Sequence, residues 1–148
     1  MKKSYSLIFL ILISSPLHAE CEQAGNLFEQ ARKTANPEQA LSFFKQSATL
    51  CQNYAVYYEQ GKALYKLKQQ DDALRSFKQA LNYTESDSKN EANTLSRIAL
   101  IHFKNKKLHQ ASIYMEKAYA INKQQSASWQ LRLRKDIDTA KSEHIASA

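Results

Sequence analysis

Few residues in this chain of 148 carry reactive side chains. The two cysteines, Cys21 and Cys51, are too far apart for the C-x-x-C spacing of a redox or zinc pair. Four histidines, His18, His102, His109 and His144, form no H-E-x-x-H pair, which would set two imidazoles on one helical face around zinc. His18 falls in an N-terminal leader, and the other three each read as a packing or surface residue. Gly25 and Gly61 are the only glycines, so no Gly-rich loop can lay its N–H groups on a phosphate. A G-x-S-x-G elbow is absent as well. The paired acids Asp71-Asp72 read as a helix start, where carboxylates favour the helix dipole. The chain is therefore expected to be no enzyme and to hold no cofactor and no metal.

Composition says what carries these residues. Hydrophobic residues at 43% and charged residues at 24% suit one globular domain. Two Gly and two Pro are too few for a turn-rich β fold, which leaves helices joined by short polar turns. Residues 1–19 are set apart. Met1-Lys2-Lys3 is a basic start, Leu7 to Ile13 an apolar run, and Leu17-His18-Ala19 approximates a cleavage site before Glu20. The run is too short for a membrane span, which needs roughly 20 apolar residues. Glu20 before Cys21 rules out a lipoprotein signal. A cleaved signal peptide implies a periplasmic or secreted protein with no membrane span. Without Lys2 and Lys3, 19 basic residues face 14 acidic ones, a net of about +5 that weakly favours anionic partners. No nucleic-acid motif occurs, and export argues against nucleic acid.

The stretch from Tyr54 to Glu85 holds two helical patterns. Tyr57, Gly61 and Leu64 share a face of the first; Ala73, Phe77, Ala80 and Leu81 share a face of the second. A polar turn around Gln69-Gln70-Asp71 is expected between them. Tyr57, Gly61, Leu64 and Ala73-x3-Phe77 stand where W-x2-L-G-x2-Y and A-x3-F stand in a 34-residue helical repeat, with Gln60 replacing the leucine and Glu85 the proline. The stretch resembles a tetratricopeptide repeat. Two diverged units flank it. In the first, 21–53, Leu27, Phe28 and Ala31 precede a helix capped by Asn36-Pro37-Glu38-Gln39 and carrying Ala40, Phe44 and Ser47. The third, 91–125, carries Leu95, Ala99 and His102, then Ala111, Met115 and Ala118. Its four extra residues, near Ser86 to Lys89, either extend the next helix backwards or lengthen the loop. Trp129, Leu133, Ile137 and Ala140 mark a capping helix over 126–146, with Arg132, Arg134, Lys135 and Asp138 turned to water.

The resemblance implies an all-α, right-handed superhelical stack of antiparallel helix pairs, over residues 20–148, whose first helices line a concave groove. By register, that groove would carry Glu22, Glu29, Arg32 and Lys33 from the first unit. The second would add Tyr58, Lys62, Tyr65 and Lys66, and the third Asn93, Ser96, Arg97, Phe103 and Lys104. Aromatic faces alternating with cations suit an extended peptide or loop with acidic groups, supplied by another envelope protein. At this stage Tyr65 and Phe103 could equally be core, and the lysines a solvated face. The hairpin reading also sets Cys21 and Cys51 at the same end of α-helical partners, where export favours a disulfide closing a loop of about 30 residues. Two other functions stay open. One is a self-associating module, a homodimer pairing through an apolar edge near Phe28 and Phe43. The other is a regulator of a cell-wall enzyme.

Overall fold

The computed structural model describes residues 16–123 and 126–147, and every regular element among them is a helix. Seven follow in order: α1 (Pro16–Lys33), α2 (Pro37–Leu50), α3 (Tyr54–Lys66), α4 (Gln70–Leu81), α5 (Lys89–Lys104), α6 (Leu108–Ile121) and α7 (Ser128–Ala146). Each packs on the one before it, and α5 also touches α7. Short connections force neighbours antiparallel, so α1–α2, α3–α4 and α5–α6 are stacked hairpins and α7 lies against the last. Most of the expected leader, residues 1–15, lies outside the described residues; residues 16–19 open α1. None of the described helices is long and apolar enough to cross a membrane.

Local chemistry sets the helix ends. Asn36 Oδ1 accepts from the N–H groups of Glu38 and Gln39 at 2.8 and 3.2 Å, and Pro37 fills the first turn, where a missing N–H costs nothing. Asn53 caps α3 through Val56 N–H, and Ser88 caps α5 through Glu91 N–H. The turn between α3 and α4 comes earlier than expected: α4 already begins at Gln70, and the chain reverses over Leu67-Lys68-Gln69. Lys68 adopts φ 61°, while Gln69 N–H bonds to Leu64 C=O and Lys68 N–H to Tyr65 C=O. This is a Schellman end with lysine where glycine is usual. Lys106, at φ 60°, repeats it between α5 and α6. Scarce glycine thus does not mean absent left-handed turns; two lysines take them here, and Asp87, at φ 58°, takes a third before α5.

The core has two parts, and α5 is the wall between them. Ile98 and Ile101 face a cluster that includes Ala31, Phe44, Leu64, Ala73 and Phe77. Leu95 and Ala99 face a second cluster with Ala111, Met115, Leu133 and Ile137. Helices on several sides explain why α5 buries more than one stripe. Phe77 is 1% exposed, a burial worth roughly 1.5–3 kcal/mol. It lies so close to α3 that a Cβ on Gly61 would sit 2.8 Å from its ring. That contact is the physical reason for glycine at this position.

Three packing expectations need correction. Tyr57 is only half-buried and stacks on Tyr83 at 5.5 Å, while Val56, 1% exposed, is the deep residue of that turn. Phe28 and Phe43 pack against the first cluster, and Phe28 meets the Phe44 ring at 5.6 Å, so each offers only part of its surface to a second copy. Arg134 is not simply turned to water: it makes a two-pronged bond to Glu116 of α6 at 2.8 and 3.1 Å and covers the Tyr119 ring. The extra residues of the third unit divide between loop and helix. Lys89 precedes Ala99 by ten positions where Tyr54 precedes Gly61 by seven, and the preceding connection also lengthens.

Cys21 and Cys51 are disulfide-bonded, with Cα atoms 4.9 Å apart. Beside them Ser47, fully buried, donates to Ala24 C=O at 2.8 Å. The first hairpin is therefore fastened twice at one end.

Candidate functional site

The odd-numbered helices form one layer, and a chain of aromatic and cationic side chains crosses it. Tyr54 and Tyr58, one turn apart on α3, stack at 5.3 Å. Arg97 of α5 donates from Nε to the Tyr58 hydroxyl at 3.4 Å, and its guanidinium lies 4.5 Å above the Trp129 ring of α7. Tyr58 in turn meets Phe77 edge-on at 5.7 Å, which ties the layer to the core. Burial, partly offset by a hydrogen bond from Thr94, pushes the Tyr54 hydroxyl up to about 12. Tyr54 therefore remains neutral at neutral pH.

The layer has a crevice at each end. Toward the N-terminus, Arg32, Glu59, Lys62 and Lys66 surround one of about 320 Å³. Its cations are largely matched: Arg32 pairs with Glu29 at 3.2 Å and Lys62 with Glu59 at 2.8 Å. Lys62 also lies 5.7 Å from the Tyr58 ring. Toward the C-terminus, a crevice of about 330 Å³ runs between α5 and α7. Leu100, Phe103 and Leu133 line its floor, Trp129 its wall, and Arg97, Lys104, Arg132 and Asp136 its rim.

The residues expected to bind are therefore divided. Tyr58, Lys62 and Arg97 come together. Lys66 is exposed beside Arg32, and Lys104 is exposed on the other rim. Phe103 is half-buried on the second cluster yet lines the C-terminal crevice, so it serves both core and groove. Tyr65 packs on the first cluster and lines neither crevice. Ser96, expected in the groove, is fully buried. Gln130 covers it, donating to Ser96 Oγ at 2.8 Å and to Asn93 Oδ1 at 3.3 Å, and accepting Ala127 N–H at 2.8 Å. Gln130, Trp129 and Arg132 were not expected in this layer. A signal for Gln130 was available: it lies 34 residues after Ser96, one repeat further along the chain.

No group of three metal-ligating side chains occurs among the described residues. A wider crevice, about 920 Å³, lies elsewhere, where the α5–α6 turn meets the end of α7; His109, Glu143 and His144 line it. His102 stays inside, 9% exposed and stacked on Tyr114 at 5.4 Å.

A sequence model of the tetratricopeptide repeat matches residues 54–87 and 92–125. No curated protein matches the sequence at a significant level. Among solved structures, the second tetratricopeptide domain of human RPAP3, in complex with an HSP70 peptide, is similar over 82% of this chain and 98% of its own, at TM-score 0.66 and 13% identity. MamA is similar over 88% of this chain and 85% of its own, at TM-score 0.62 and 13% identity. The first tetratricopeptide domain of Spaghetti (RPAP3), bound to an HSP90 peptide, aligns over 85% and 93%, at TM-score 0.63 and 15% identity. At such identities the likeness is one of fold. The α3–α4 and α5–α6 hairpins coincide with the matched stretches, so these two hairpins are tetratricopeptide repeats.

Proposed function

We propose that this protein is a scaffold of the cell envelope that holds a peptide or loop of another envelope protein against its odd-numbered helices. One observation carries the reading: Tyr58, Arg97 and Trp129 join α3, α5 and α7 into a continuous aromatic and cationic surface. Aromatic faces supply contact area at low entropic cost, and arginine adds directional donors. Two similarly folded domains are bound to peptides in their solved structures, which supports the same use of the fold here. The signal-like residues 1–19 and the Cys21–Cys51 disulfide support a periplasmic or secreted location, since such bonds persist in oxidising compartments. The scaffold reading assigns no catalytic step to any residue of the chain.

Lys62→Glu with Arg97→Glu tests the groove. Pull-down from an envelope fraction should lose its partners with the double variant; recovery of the same partners would overturn the assignment.

A further inference from the structure

We propose that the crevice between α5 and α7 is the receiving end of the groove, and that it takes an extended peptide in which aliphatic or aromatic side chains alternate with Asp or Glu. The inference rests on the reading of the odd-numbered layer as a peptide site, and adds where the peptide seats and what it must carry.

Charge distinguishes this crevice from its counterpart. Among the described residues Arg97, Lys104 and Arg132 reach no carboxylate, whereas of the three cations on the other crevice Arg32 and Lys62 are paired and Lys66 alone is not. Asp136 is the single acid on that rim. A guanidinium presents five N–H donors in a planar fork, and Arg97 uses only Nε, toward Tyr58. The Trp129 ring, 4.5 Å from the guanidinium carbon, holds the side chain in place before any ligand arrives, which lowers the ordering cost of binding. A carboxylate placed there would gain charge-assisted bonds from a preset donor.

Shape supplies the second requirement. The floor of Leu100, Phe103 and Leu133 is apolar and lies between rims that are cationic. In an extended chain successive side chains point to opposite sides. A residue whose apolar side chain enters the crevice therefore leaves its neighbours facing outward, beside Arg97, Lys104 and Arg132. Helix α7 provides Trp129, Arg132 and Leu133, so the cap forms half the site in addition to closing the stack. Gln130 sets its position by bonding to Asn93 and Ser96 of α5.

Trp129 is the only tryptophan, so its emission reports on this crevice directly. The full chain would be titrated with an N-acetylated, C-amidated hexapeptide of alternating Leu and Glu, and with versions carrying Gln for Glu or Ala for Leu. The end caps remove the terminal carboxylate as a source of charge. The expected result is a saturable emission change, at least tenfold weaker with either altered peptide. Arg97→Gln should weaken it by a similar factor. Lys104→Gln with Arg132→Gln, which leaves the Trp129 stack alone, should also weaken it severalfold. Equal binding of the Gln peptide, no saturable change with the Leu–Glu peptide, or an unaltered response in the double variant would each overturn the proposal. So would an equal response to polyphosphate, which would make the rim a general anion surface. Should the peptide fail while envelope partners are still lost with Lys62→Glu and Arg97→Glu, the groove reading stands and this inference falls.

Discussion

The two ends of the odd-numbered layer are built from the same repeat and use their cations differently. At the N-terminal end, arginine and lysine sit one turn from a glutamate and are neutralised within their own helices. Such exposed pairs contribute little stability, but they remove charge that a ligand would otherwise meet. That end is held covalently, through Cys21 and Cys51. At the C-terminal end, Arg97 is positioned by aromatic groups instead of an acid, and the cap is held by Gln130 and by Arg134 on Glu116. The difference teaches that one repeat architecture can neutralise its cations at one end and leave them open at the other, by the choice of partner for each; the proposed site puts anchoring at the first end and recognition at the second.

The contrast can be broken most strongly at the disulfide. Cys21→Ser with Cys51→Ser should cost about 3.5 kcal/mol in the chain-entropy treatment of a 30-residue loop. Hydrogen exchange should place the loss in α1 and α2, with α5 to α7 unaffected; uniform loss of protection would erase the distinction between the ends. Gln130→Ala comes next, at roughly 1–3 kcal/mol, because Ser96 and Asn93 lose a buried partner. Its sharper readout is Trp129 emission, which should shift toward that of solvent-exposed indole as the cap loosens.

Lys68→Gly and Lys106→Gly should each raise stability by about 0.5–1 kcal/mol in chemical denaturation, since only glycine takes the left-handed turn without a Cβ clash. The smallest effect is a pH dependence. Burial, then Lys107 and Lys78, lowers the pKa of the His102 imidazole below the usual histidine range. The unfolded chain thus binds that proton first. Stability present above the ordinary histidine pKa is lost as pH falls through the lowered one. Thermal melts of His102→Gln should show a shallower decline toward acid than the parent chain.

Repeat periodicity made the stack legible because Gly61, Phe77, Ala73 and Ala80 answer to one contact, the close approach of α3 and α4. The N-cap at Asn36 and the helix start at Asp71-Asp72 were readable for the same reason: each is settled within one turn. The site was less legible. Tyr58 and Ser96 hold equivalent register positions, yet a tyrosine reaches across the layer while a serine is covered by Gln130. Register says which way a side chain starts, and its size and its neighbour decide whether it stays exposed. Lysine at the left-handed turns was hidden too, since nothing in its chemistry favours that backbone.

The most direct measurement compares the two ends in one experiment. A photoreactive residue would be placed at position 104 in one protein and at position 33 in another, and each would be cross-linked in the cells that make it. The expected result is a single dominant partner adduct at 104 and little at 33. Equal capture at both positions, or capture at 33 alone, would contradict the assignment of recognition to the C-terminal end.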